Sequence, residues 1–177
     1  VSDFDEPRDD RPPGWGEPRS KTITWFDPMV TARTLGGMPG LDALRAVRDG
    51  VVAPPPIAGH FDFGVTDVSE GEVRFTCRPD ESAYNPIGMV HGGLVCTLLD
   101  TVIGCAVHTT LPAGVGYTSI ELKVNYLRPV HSHHATIQAR GWVTKPGRRV
   151  AFAEGEVLDS DGKVLATASG SCLVMAG

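Results

Sequence analysis

No apolar run in this chain reaches the roughly 18 uninterrupted residues that a bilayer-spanning helix needs; charge, glycine or histidine breaks every candidate. A membrane partner is therefore not expected. Basic stripes with interleaved aromatics are also missing, aromatics make up only 7% of residues and the net charge is −5. Nothing is arranged to follow a phosphate backbone, so nucleic acid is not an expected partner. Cys77, Cys96, Cys105 and Cys172 form no C-x-x-C pair and lie far apart in apolar stretches, which argues against a thiolate metal site and for reduced core thiols. The first residues, VSDFDEPRDDRPPGW, are acidic and proline-rich. They have neither the basic start and apolar middle of a secretory signal nor the arginine-rich character of a transit peptide. The expectation from these absences is a cytoplasmic protein.

What is present suits a folded globule. Apolar residues are 41% and charged residues 21% of 177, enough for one domain with a core and short for two. Residues 1–22 combine proline, glycine and mixed charge without apolar periodicity, and are expected to be a disordered acidic tail. Within 23–59, Leu41, Leu44 and Val47 recur at helical spacing between Pro39 and Gly50, which predicts one short amphipathic helix. Pro54, Pro55 and Pro56 then predict an extended connector.

Residues 60–177 read as the main domain. FDFGVTD and EVRFTCR flank Ser69-Glu70-Gly71 as a hairpin. GYTSIELKVNYLR, ATIQARGWVT, RVAFAEGEVLD and KVLATASGSCLV add further strands, the last three joined by KPGR and SDG turns. Between the second and third strands, HGGLVCTLLDTVIGCAVHTTL is too long and too uniformly apolar for a strand, and predicts a helix buried on all sides. The expected class is α+β, a six-stranded antiparallel sheet wrapped around a long central helix. Ala151, Ala153 and Gly155 alternate on one strand face, as do Ala166, Ala168 and Gly170 on the next, so the helix is expected to approach closely there.

Asp100 is the only charged residue between Gly92 and Leu111. A carboxylate among Leu98, Leu99, Val102 and Ile103 needs either a structural partner, such as Thr97 or Thr101, or a catalytic purpose. His91-Gly92-Gly93 opens the helix. It is either a flexible entry or a place where a substrate carbonyl reaches outward-pointing N–H groups. Asn85, ahead of Pro86, orients a water or makes an Asx-turn. Asp100 follows His91 by nine residues, roughly 13 Å of helix. One subunit therefore does not bring both to the same carbonyl, and a shared site demands a second copy with an antiparallel helix.

NPIGMVHGGLVCTLLDTVIGCAVH, followed by GYTSIELKVNYLRP, resembles the PaaI-like branch of the hot-dog thioesterases, over residues 40 to 175 or so. The pattern N-x-x-x-x-x-H-G-G with an acidic residue nine beyond the His is fairly specific in that family. The resemblance implies a hot-dog fold and acyl-CoA hydrolysis with no cofactor, CoA being part of the substrate, and no metal. It implies that Asp100 is the catalytic carboxylate, that Gly92, with Gly93, donates to the thioester oxygen, and that His91 and Asn85 orient substrate and water. Ser119 matches the polar residue on the strand beside the carboxylate. Self-association into a homodimer or homotetramer follows from the shared site. Aromatic, medium-chain and branched acyl groups all suit an apolar tunnel between two helices, and Asp100 either activates a water or attacks the carbonyl to give a mixed anhydride. The resemblance does not reach the extension over residues 1–40.

Two clusters remain. His131, His133 and His134 read as a solvated strand turn rather than a metal site, since no acidic or thiol ligand lies close in sequence. Lys145, Arg148 and Arg149 around a Pro-Gly turn, with Arg128 before Pro129, are ordinary solvated cations or contacts for the CoA phosphates. Two rival functions belong to the same architecture: a hydratase or dehydratase on acyl-CoA, and a non-catalytic acyl-CoA-binding sensor. The first needs an acid-base pair that is not visible near Asp100, and the second is disfavoured by Asp100 and the acidic tail.

Overall fold

The computed structural model describes residues 14–175; residues 1–13 of the expected tail lie outside that range. Three short helices come first: α1 (Pro28–Gly36), α2 (Gly40–Arg48) and α3 (Pro56–Phe61). Only α2 is the helix expected from the apolar spacing. Asp27 caps α1 by accepting from the Met29 N–H at 2.8 Å, with Pro28 at the first helical position, a start signal that works without an apolar stripe. Pro56 likewise opens α3, so the proline run is extended at Pro55 and then starts a helix rather than serving only as a connector. The last residues of the expected tail touch the domain. Lys21 pairs with Asp80 at 2.6 Å and Arg19 pairs with Glu81.

Six strands follow: β1 (Phe63–Ser69), β2 (Glu72–Cys77), β3 (Gly116–Tyr126), β4 (Ile137–Lys145), β5 (Val150–Leu158) and β6 (Val164–Met175), with the long helix α4 (Gly92–His108) between β2 and β3. β1 starts only at Phe63 because Phe61 closes α3 and Asp62 turns the chain with φ 48°. All pairings are antiparallel, in the order β1-β2-β4-β5-β6-β3. α4 packs against β2, β4, β5, β6 and the edge strand β3, so the sheet curls around it, while the other edge strand, β1, packs against α2.

α4 lies against the concave face through Leu94, Leu98, Leu99, Val102, Ile103 and Ala106, all buried. The close approach has an identifiable cause. Gly141 of β4 faces Gly155 of β5, which in turn faces Ala168 of β6. A Cβ at position 141 would come within 2.3 Å of the Val102 carbonyl oxygen, so any larger residue there forces the helix off the sheet. The expected small faces are present, with Ala151, Ala153, Ala166 and Ala168 all buried. The expectation of burial on all sides fails on one stripe of α4, where Asp100 is exposed and Cys96, Thr97 and Thr101 are half-buried. A single curled sheet covers only part of a helix's circumference.

Candidate active site

At the N-terminus of α4 the preceding loop is tightly held. The Asn85 N–H donates to the Met89 carbonyl at 2.8 Å, and Asn85 Oδ1 accepts from the N–H groups of Ile87 and Met89, both at 3.1 Å. The amide oxygen of Asn85 is thus committed to an Asx-type turn, while its NH2 makes no hydrogen bond among the described residues. His91 caps the helix, its Nδ1 accepting from the Gly93 N–H at 2.8 Å. A neutral imidazole in that bond carries its proton on Nε2. Gly93 is therefore engaged by the cap, whereas the Gly92 N–H donates to no group among the described residues, and the helix dipole adds to its pull on a developing negative charge.

Tyr126 of β3 completes this end. Its hydroxyl donates to the Gly92 carbonyl at 3.1 Å and lies 2.9 Å from Cys96 Sγ. The bond with the Cys96 thiol, with partial burial, pushes the phenol pKa up to about 12, so it stays protonated at neutral pH. A Cβ on residue 92 would meet the end of the Tyr126 ring at 3.0 Å, so a larger residue there would push the phenol aside. Asn85, His91, Gly92, Gly93 and Arg128 line one groove of about 540 Å³. Arg128 turns part of its guanidinium onto the Val164 carbonyl.

Asp100 lies on the open stripe, away from that groove. Ser119 of β3 donates to its Oδ1 at 2.6 Å. The Thr97 and Thr101 hydroxyls are not its partners, since they bond back to the carbonyls of Gly93 and Thr97 at 2.9 and 2.7 Å. Asp100 and Ser119 line a second, more apolar cavity of about 370 Å³, walled by α1, α2, α3, β1 and one face of α4. The two groups of candidate residues therefore occupy separate hollows of one chain, as the nine-residue spacing requires.

Arg148 lies in neither hollow. It lines a third groove with Glu70, Thr110 and Pro146, beyond the C-terminal end of α4. The His131, His133 and His134 rings pack on one another at 4.7 to 5.8 Å, with His134 Nδ1 accepting from the His131 N–H at 3.0 Å. No cluster of three or more potential ligands is arranged to hold a metal among the described residues. Sequence reasoning missed Tyr126 at the start of α4, and Tyr117 and His108, which line the cavity beside Asp100. Each stands in an apolar strand or helix pattern where an aromatic residue reads as core, and only the contact across elements distinguishes them.

A sequence model of the thioesterase superfamily matches residues 87–166. A protein of Halobacterium salinarum named as an esterase is 34% identical, the alignment covering 68% of this chain and 83% of the relative. Acyl-coenzyme A thioesterase 13 of Mus musculus is 29% identical over 58% of this chain and 74% of its own length. A crystal structure from Ralstonia eutropha, described as a thioesterase and a phenylacetic acid degradation-related protein, matches with a TM-score of 0.67 and 27% identity, covering 73% of this chain and 98% of that one.

Proposed function

Since the chain belongs to the thioesterase superfamily and is a thioester hydrolase, we propose that it hydrolyses an aromatic or medium-chain acyl-CoA at a site shared by two copies of itself. The observation that carries this reading is the Asp100–Ser119 pair at 2.6 Å on the wall of an apolar cavity. It is a carboxylate with one oxygen anchored and the other open toward substrate. The thioester carbonyl takes the Gly92 N–H of the second copy, a donor that contributes about 3 kcal/mol as the oxygen gains charge. His91 Nε2–H and the Asn85 amide orient the substrate and the water.

With Ser119 holding Oδ1, Asp100 acts as a general base through Oδ2. It removes a proton from the water as the water oxygen bonds to the carbonyl carbon. The tetrahedral intermediate then expels the CoA thiolate, which takes up a proton, and the free acid departs. No metal or cofactor has a part in these steps. Arg128 lies in the Gly92 groove, within the proposed path of CoA.

The test is thiol release, followed by absorbance, from phenylacetyl-, benzoyl-, hexanoyl-, octanoyl- and palmitoyl-CoA. Hydrolysis of the aromatic or medium-chain members with discrimination against palmitoyl-CoA is the expected result. A preference for palmitoyl-CoA would refute the substrate class, and absence of thiol release from every member would refute hydrolysis of CoA esters.

A further inference from the structure

The cavity beside Asp100 is longer than a carboxylate site needs. It follows α4 from Asp100 to His108, roughly 12 Å at the helical rise, and its volume of about 370 Å³ falls in the range of small-molecule sites. The two free edges of the sheet contribute Phe63 and Tyr117 to its walls, and α2 contributes Leu44 and Val47. The end away from Asp100 carries His108, beside Tyr117 and Cys105. The His108 side chain makes no hydrogen bond among the described residues, and its ring lies 5.2 Å from that of Tyr117. Burial lowers the pKa of this imidazole, so it is neutral at neutral pH and has one donor and one acceptor to offer. Neither imidazole nitrogen is buried without a partner, so both stay accessible and can meet an incoming polar group.

Resting on the thioesterase reading above, we propose that the acyl group enters this cavity from Asp100, that α2 limits its size through Leu44 and Val47, and that His108 hydrogen-bonds an oxygen at its far end. The preferred substrates are thus acyl thioesters carrying a distal hydroxyl or carbonyl. The N-terminal helices, beyond the matched segment 87–166, become the specificity wall of the enzyme.

The experiment compares kcat/KM for hexanoyl-, octanoyl- and decanoyl-CoA with their ω-hydroxylated counterparts. For wild type, the hydroxylated thioester is expected to be favoured about tenfold at the best-fitting length, the value of one hydrogen bond in a pocket. His108→Leu brings that ratio close to one and His108→Gln retains it, a pattern that loss of packing alone does not produce. Val47→Phe, on the half-buried face of α2, shifts the optimum toward shorter acyl groups and serves where His108→Leu does not fold. Wild-type hydrolysis with no preference for the hydroxylated partner at any length overturns the proposal while leaving the thioesterase reading intact. So does an unchanged ratio in His108→Leu, or an unchanged optimum in Val47→Phe. Absence of hydrolysis by wild type across the panel removes the reading and the proposal together.

Discussion

At the scale of single residues, Asp100 is the clearest case of chemistry visible in a sequence, because one charge in a long apolar segment has no ordinary explanation. Its partner was legible only through family resemblance. Ser119 is nineteen residues away on another element, and the nearer candidates, Thr97 and Thr101, turn their hydroxyls onto their own helix. Asp100→Asn removes the proposed base while keeping shape, and is expected to lower kcat by about 10²–10⁴-fold. Because Asp100 is exposed in the single chain, stability should change by no more than about 0.5 kcal/mol. Thiol-release kinetics and urea unfolding check the two halves of this expectation, and near wild-type turnover would make Asp100 a structural residue. His91 and Asn85 show the opposite balance. Both do local work, one as a helix cap and one in a turn, and pattern reading does not separate that work from a role toward substrate.

At the scale of elements, periodicity was sufficient for α2, α4 and all six strands, whose apolar residues recur with the periods of buried faces. It was silent on α1 and α3. α1 buries only Thr31, and a helix held by its cap and proline start leaves no apolar signature. The sheet also carries an ion pair that no strand pattern announces. Arg140 of β4 grips Glu72 of β2 with Nε and Nη2 at 2.7 and 3.0 Å and stacks over Trp142 at 5.1 Å. That hydrogen-bonded guanidinium holds the Glu72 carboxyl below its ordinary range. A carboxyl depressed in the folded state stabilises fully above its unfolded pKa, and this contribution is lost as pH falls through the folded value. Glu72→Gln should therefore cost about 1 kcal/mol at pH 7. The gap between variant and wild type should close progressively as the pH is taken below about 4. Chemical unfolding at graded pH measures it, and a gap that stays constant into acid would mean that the pair contributes through packing alone.

At the scale of the whole molecule, the two hollows make a strong demand on assembly. If Asp100 and the Gly92 group act on one carbonyl, they belong to different chains, and two inactive variants should restore each other. The choice of partner for Asp100→Asn follows from the loop geometry. His91→Asn removes the imidazole yet keeps a residue favoured at helix caps, whereas replacing Asn85 would release two backbone N–H bonds. Unfolding the two variants together and refolding them should give about half mixed dimers, each with one intact site, and so roughly a quarter of wild-type activity. Mass spectrometry verifies the exchange. Inactive parents that exchange subunits without regaining activity would place the whole site within one chain.

Legible along the chain were the order and type of the main elements, the small residues that let α4 lie close to the sheet, and the residues that match the thioesterase pattern. These are local properties, carried by spacing along the chain and by residue type. Contacts between distant segments settle which side of α4 stays open, that Ser119 reaches Asp100, and that the N-terminal helices close a cavity ending at His108. Those outcomes depend on how far the sheet curls around α4 and on α2 packing against β1. That curl is set by strand twist and by packing across the belt of Gly141, Gly155 and Ala168, contacts between residues far apart in the chain that no local pattern encodes.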